Sequence, residues 1–170
     1  MRVLFVASEV YPLVKTGGLA DVVGALPLAL KGLGVDVRVL VPGYPKVLSG
    51  LTERGPEVQL GDVVGVGQAR LFNARVGALD LLVLDAPRLY DRPGSPYGDD
   101  HGDFGDNHLR FGALCEVAAW LAGPDGGERW RPDLIHGHDW QAGLVPAYLA
   151  RTRAHGGPAA IRTIHNLAYQ

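Results

Sequence analysis

The sequence predicts an α/β fold built on a mostly parallel sheet, and three observations carry that prediction. An apolar run, RVLFVAS (2–8), is followed by a glycine turn and then by an apolar stretch at helical spacing. A second apolar run, VDVRVLVP (35–42), closes that unit. The same order returns near the end, where DLIHGH (133–138) leads through QAGLVPAYLARTRA (141–154) to AAIRTIH (159–165). Short apolar runs alternating with helical segments are the pattern of buried parallel strands joined by crossover helices.

Taken in order, RVLFVAS reads as a buried first strand. LADVVGALPLALKGLG reads as a helix with a glycine-rich stop, and Pro27 inside it should bend or weaken its middle. With VDVRVLVP as the second strand, residues 1–42 make one βαβ unit with a right-handed crossover. VGVGQARLFNARVGALDLLVLDAP holds two strand-like runs separated by VGA, which predicts a hairpin-like insertion. Residues 86–106 carry Pro, Gly, Asp and aromatics without periodicity and read as one long loop, a kind of segment that is commonly functional or mobile. NHLRFGALCEVAAWLA (107–122) reads as a helix with Asp106 as its N-cap, and GPDGGERWRP (123–132) as a connection. No repeat or low-complexity segment is present. The chain ends six residues after Ile164, just past a strand. A doubly wound sheet ending there has its last crossover unmade and a face uncovered, so the chain reads as a fragment.

A chain of 170 residues suits one domain, and 47% hydrophobic with 20% charged residues suits a globular one. The formal charge of −2 gives no basic surplus to attract nucleic acid or anionic lipid. A single cysteine, Cys115, excludes an internal disulfide and suits a reducing compartment, and its apolar neighbours predict an inert buried thiol. The opening MRVLFVASEVYPLV is too short and too interrupted, by Glu9 and Pro12, for a secretory signal, and no apolar run reaches membrane-spanning length. The expected location is cytoplasmic. Arginine outnumbers lysine 13 to three, which singles out Lys15 as a place where a compact point charge is wanted, although Lys31 and Lys46 show no such role.

In open parallel sheets ligands collect beyond the carboxyl ends of the strands. Three strand ends carry suitable residues: Glu9 to Gly18, His138 to Trp140, and His165 to Asn166. Lys15-Thr16-Gly17-Gly18 is neither a Walker A loop nor a dinucleotide fingerprint. It sets an ammonium and two side-chain-free residues at the mouth of a helix, which suits phosphate but equally suits a ligand-free tight turn. His136 and His138 share one face of a strand, but no HxHxDH pattern follows, so Asp139 capping the next helix is the better reading than a metal site. YGDDHGDFGDNH (97–108) lacks EF-hand spacing and reads as a solvated loop. Tyr90, Tyr97, Trp130 and Trp140 lie in or near loops, where they either stack on sugar faces or pack. No G-x-S-x-G elbow is present.

VASEVYPLVKTGGLADVVGALPLAL, LYDRPGSPYGD, RPDLIHGHDWQAGLVPAYL and TIHNLAYQ together resemble the bacterial glycogen synthases and plant starch synthases. The resemblance runs nearly end to end. It implies a GT-B-type enzyme with two Rossmann-like domains facing across a cleft, of which residues 1–170 form part of the N-terminal one, the C-terminal nucleotide-binding domain being absent. It implies retaining transfer of glucose from ADP-glucose to the non-reducing end of an α-1,4-glucan such as glycogen, without a metal ion or other cofactor.

Residue by residue, the resemblance places Lys15, Gly17 and Gly18 in a KTGG loop reaching towards the donor's pyrophosphate and glucose, where Lys15 meets charge developing on the departing ADP. Asp21 matches a residue on the donor side, and it would repel a diphosphate unless paired with Lys15 or an arginine. His165 matches a histidine of the catalytic centre whose main-chain carbonyl faces the donor glucose, with Asn166 shaping the pocket beside it. Asp139 and Trp140 match a segment lining the sugar and acceptor region, and Tyr97 matches an aromatic in contact with sugar. The second domain's Arg/Lys pair and glutamate have no counterpart here, so the chain alone is expected to be inactive. Two other readings stay open: a non-catalytic α-glucan-binding module using the aromatics, and a metal-dependent hydrolase using His136, His138 and Asp139.

Overall fold

The computed structural model describes residues 1–63, 65, 67–124, 126, 130–152 and 157–167. The first apolar run forms β1 (Arg2–Val6), with Val3 to Val6 enclosed on both sides. Helix α1 (Gly18–Gly32) then leads to β2 (Asp36–Pro42), which lies parallel to β1. This is the expected βαβ unit, and α1 runs unbroken through Pro27. The chain continues through α2 (Pro45–Ser49), β3 (Glu53–Asp62), β4 (Gln68–Val76), β5 (Leu79–Asp85) and the short α3 (Pro87–Tyr90). A two-residue ladder of β6 (Gly98–Asp99) and β7 (Gly102–Asp103) precedes α4 (Asn107–Ala122). After β8 (Leu134–His138) come a 3-10 turn (Trp140–Ala142), α5 (Val145–Thr152) and β9 (Ala159–Thr163).

The main sheet has seven strands in the order β3-β4-β5-β2-β1-β8-β9. The five from β5 to β9 are parallel, and β3 and β4 add antiparallel at one edge. The expected hairpin is real, but it is not an insertion: β5 pairs with β2 and belongs to the central sheet. β3 has no counterpart in the sequence pattern. Its run ERGPEVQLGD is exposed along most of its length and shifts register twice against β4. A bulged, charged edge strand has no buried face to impose alternation, which is why periodicity misses it. The expected loop at 86–106 contains α3 and the β6–β7 ladder. The helix expected over 141–154 begins instead as the 3-10 turn, with Pro146 in the first turn of α5. Its residues 153 and 154, part of the 123–132 connection and the end of the HNLAYQ segment lie outside the described residues.

α4 is apolar nearly all round and is buried accordingly, packing against β1, β2, α5 and the 3-10 turn. Cys115 lies on it, 1% exposed, with its Sγ 3.3 Å from the Gln141 carbonyl. Burial pushes that thiol up to about 12, so it is chemically quiet. Lys31 does have a role: from the last turn of α1 it reaches Asp80 Oδ2 (2.5 Å) and the Ala78 carbonyl (2.9 Å), fastening the helix to the β4–β5 turn. Among the described residues no helix is long and apolar enough to cross a membrane.

Asp106 occupies the N-cap position of α4 but makes no capping hydrogen bond through its side chain. Its carboxylate accepts instead from Arg92, at 2.7 and 2.5 Å, and that guanidinium holds the Asp106 carboxyl below the usual range. The neighbouring Arg110 is 1% exposed. It donates to the carbonyls of Leu89 (2.9 Å) and Pro96 (2.7 Å) and to Asn107 Oδ1 (2.6 Å), among the rings of Tyr44, Tyr90, Phe104 and Phe111. Asn107 in turn donates to the Tyr97 carbonyl at 2.8 Å. The buried fork of Arg110 thus ties α3 and the Pro96–Tyr97 segment to α4. Replacing it by lysine keeps the charge and loses the planar fork, so Arg110→Lys should lower unfolding free energy by about 2–4 kcal/mol in urea titrations. An unchanged midpoint would show that the loop is held by other contacts.

Candidate active site

β1, β8 and β9 are parallel neighbours, so their carboxyl ends open on one edge, and the chain that follows each of them meets there. Past β1 the backbone closes a small loop, with Val10 and Val14 exchanging N–H···O bonds and the Tyr11 N–H donating to the Ala20 carbonyl of α1 (3.1 Å). That loop delivers Lys15 to Gly18 onto the N-terminus of α1. A cleft of about 560 Å³ lies beside it. Gly17, Gly18, Tyr97, Asp139, Trp140, His165 and Asn166 all line this cleft, so the fold gathers seven of the nine sequence-derived site residues, drawn from four separate segments, at one place.

Glu9 organises the near wall. Although 2% exposed, it accepts from the Thr16 N–H, from Thr16 Oγ1 (2.6 Å) and from the Tyr97 hydroxyl. Because Tyr97 spends its proton on Glu9, Ser8 Oγ must donate to the Tyr97 oxygen, 2.9 Å away. Burial, and then the bond to Glu9, raise Tyr97 well above the usual phenol range, so it keeps that proton. A buried carboxylate is tolerable only when donors surround it, and here three do. The sequence marked Glu9 only as a polar residue at a strand end. Its link to Tyr97 spans 88 positions, and no local signal reports it.

Gly17 is the N-cap of α1 and leaves the helix without a side-chain cap. Neither Gly17 nor Gly18 has a positive φ, and a Cβ added to either would meet nothing within 4 Å among the described residues. The backbone therefore does not require glycine at either place, and packing among the described residues does not either. What glycine does is clear the approach to the first amides of α1, where the helix dipole is positive.

Lys15 and Asp21 stand apart from the other seven. Lys15 lies on a neighbouring groove that shares Thr16 and Asp103 with the cleft, and Asp21 is in the first turn of α1. The Lys15 ammonium is 2.7 and 2.6 Å from the two Asp21 oxygens. The pair is about half exposed, so it adds little to stability, and it leaves the lysine held beside the helix N-terminus.

On the far side Asp139 has φ 59° and ψ −167°, a conformation that residues with side chains rarely adopt. The turn is held by its N–H to the Thr163 carbonyl (2.8 Å) and by Ala142 N–H to its own carbonyl (3.3 Å). Its carboxylate makes no capping bond to the turn that follows, contrary to the sequence expectation. Trp140 packs edge-on against Phe111 and tilts towards Tyr97, making a partly open aromatic patch, whereas Tyr90 and Trp130 are buried as core. Gln141, which the sequence did not single out, lines the cleft with its Oε1 enclosed and without a hydrogen-bond partner among the described residues.

The three histidines form a stack, His136 on His138 (4.2 Å between centroids) and His138 on His165 (5.3 Å). His136 Nε2 contacts Thr163 Oγ1 (2.7 Å) and His138 Nδ1 contacts His165 Nε2 (3.0 Å). One ring nitrogen of each histidine is thus engaged by a protein partner, and among the described residues no three metal-ligating side chains converge. Burial, followed by the neighbouring His136 and His165, pushes His138 from 6.5 down to about 3. The unfolded chain therefore binds a proton that the native state refuses, and stability falls as pH drops from 6.5 towards 3. Urea midpoints measured near pH 7 and near pH 5 should show this loss, and His138→Phe should remove part of it. Equal acid sensitivity in both proteins would contradict the assignment.

With the geometry in place, the comparisons with known proteins are specific. Residues 2–170 match the family model described as the starch synthase catalytic domain. The glycogen synthase of Acidiphilium cryptum is 55% identical over 172 residues, covering 100% of this chain and 35% of that protein. The glycogen synthase of Rhodopseudomonas palustris (strain BisB18) is 56% identical over 168 residues, covering 98% and 34%. The catalytic domain of starch synthase IV from Arabidopsis thaliana, solved with ADP and acarbose, superposes with a TM-score of 0.71 at 26% identity, covering 99% of this chain and 34% of that one. The chain thus spans about a third of the length of these relatives, and its sheet has the GT-B architecture of that catalytic domain. The chain belongs to the starch synthase catalytic domain family.

Proposed function

We propose that this chain supplies one wall of the donor site in a glycogen synthase, an enzyme that moves glucose from ADP-glucose to the non-reducing end of an α-1,4-glucan with retention at the anomeric carbon. The observation that carries this reading is the uncapped N-terminus of α1, where Gly17 and Gly18 leave space that none of the described residues fills. A diphosphate fits that space by charge and by hydrogen bonding. As the bond from the glucose carbon to the diphosphate breaks, negative charge grows on the departing ADP, and Lys15 and the first amides of α1 are placed to meet it. The glucan hydroxyl bonds to the same carbon on the face the diphosphate leaves, and its proton passes to the departing diphosphate oxygen. Tyr97 and Trp140 offer ring faces to the sugars, and His165 and Asn166 border the glucose pocket. The ADP and acarbose bound by the Arabidopsis relative support a nucleotide and a glucan-like ligand for this site.

Residues 1–170 form, on this reading, part of the N-terminal Rossmann-like domain of a cytoplasmic protein. The opposite wall, with the base-reading contacts, belongs to a second domain, and no metal takes part.

The test uses the full-length protein containing this sequence, with glycogen as acceptor and a chelator present. Glucose should be incorporated from ADP-glucose, and Lys15→Ala should cut kcat/KM by about 100-fold, the scale of one lost charge-stabilising group. Gly18→Ala should lower kcat/KM while leaving thermal stability unchanged or slightly raised, because alanine favours the helix and meets no neighbour. Retained glycogen binding with no transfer from any nucleotide sugar would overturn the reading in favour of a glucan-binding module.

A further inference from the structure

We infer that His138 is a positioning residue for His165: it donates its Nδ1–H to His165 Nε2 and so fixes the His165 imidazole as the tautomer that carries its proton on Nδ1. The inference rests on the donor-site reading only for its consequence, not for its geometry. His138 is fully enclosed behind the cleft, and its Nδ1 is 3.0 Å from His165 Nε2. One of those nitrogens must donate and the other accept. Held down to about 3 by burial and by its histidine neighbours, His138 is neutral at working pH and has a single N–H to place.

Its other nitrogen, Nε2, decides the direction. That atom is buried and has no hydrogen-bond partner among the described residues. If His165 donated, the His138 proton would sit on Nε2 as an orphaned buried N–H, which native structures rarely tolerate. If His138 donates, Nε2 carries only an unshared lone pair, the cheaper deficit. His136 does not compete, since its Nε2 is engaged by Thr163 Oγ1, and Phe5 packs against both rings at 4.8 Å.

With Nε2 of His165 accepting, its proton lies on Nδ1, the nitrogen with no hydrogen-bond partner among the described residues, on a ring that lines the cleft. The site is thereby offered an N–H donor suited to an oxygen acceptor, a sugar hydroxyl or a phosphate oxygen. The opposite tautomer would present a lone pair there, which repels a phosphate oxygen and meets a sugar hydroxyl only as a donor. The histidine stack thus sets the polarity of the cleft wall from behind.

The test is the 15N solid-state spectrum of the full-length protein labelled only at histidine, with His165 assigned by its loss in His165→Gln. Wild type should show a protonated Nδ1 and an unprotonated Nε2 for His165. His138→Asn, which keeps a side-chain N–H within the same reach, should preserve that pattern, and His138→Phe should release the proton to Nε2. A protonated Nε2 in wild type, or an unchanged pattern in His138→Phe, would overturn the inference. The spectrum is read without substrate, so the expected pattern in a protein that transfers no glucose would count against the proposed function and leave the positioning role standing.

Discussion

The cleft depends on one buried carboxylate. Glu9 sits at the first residues past β1, where the backbone leaves the sheet, and its two oxygens take three donors from two segments far apart in sequence. One segment is the KTGG loop, which places the N-terminus of α1. The other carries Tyr97 and is itself pinned to α4 through Arg110 and Asn107. Remove the acceptor and both segments lose their common reference. A glutamine would make the point sharply, because its amide nitrogen cannot accept, so the three donors could not all keep their present bonds.

The surroundings of Glu9 and those of Lys15 show two uses of charge. Glu9 is enclosed and accepts three hydrogen bonds, so its interactions fix geometry. Lys15 and Asp21 are half exposed and form a pair that contributes little to folding. On the proposed reading, a cation kept beside an uncapped helix N-terminus, next to two glycines that packing among the described residues does not require, meets the donor's diphosphate. On the other wall the strained Asp139 backbone and the histidine stack bring β8 and β9 to the same cleft. Strain of that kind persists only where the surroundings over-determine it, as the bonds to Thr163 and Ala142 do here.

Much of this was legible in the sequence. β1, α1, β2, α4, β8 and α5 declare themselves because each has a buried face or is buried throughout, and burial imprints periodicity; β9, none of whose residues is buried, shows instead by its place after β8 and α5. β3 does not, because an exposed edge strand carrying Pro56 and charges imprints nothing. The segment 86–106 looked structureless for a different reason: its order comes from a buried arginine on a later helix, a tertiary contact that local propensity cannot report. The convergence of three strand ends was legible from topology alone. Whether the turn requires Gly17 and Gly18 was not, since that depends on their φ values and on the space around absent side chains. His138 was also opaque: the sequence shows two histidines on one strand face, and only the fold shows a third ring closing the stack.

Glu9 holds the KTGG loop and the Tyr97 segment as one unit. Hydrogen–deuterium exchange of the full-length protein, in wild type and in Glu9→Gln, tests it most directly. Faster exchange in both 14–18 and 95–98, with the amides of β1 and β2 unaffected, is the result the structure predicts. Faster exchange in only one of the two segments, or in neither, would contradict it.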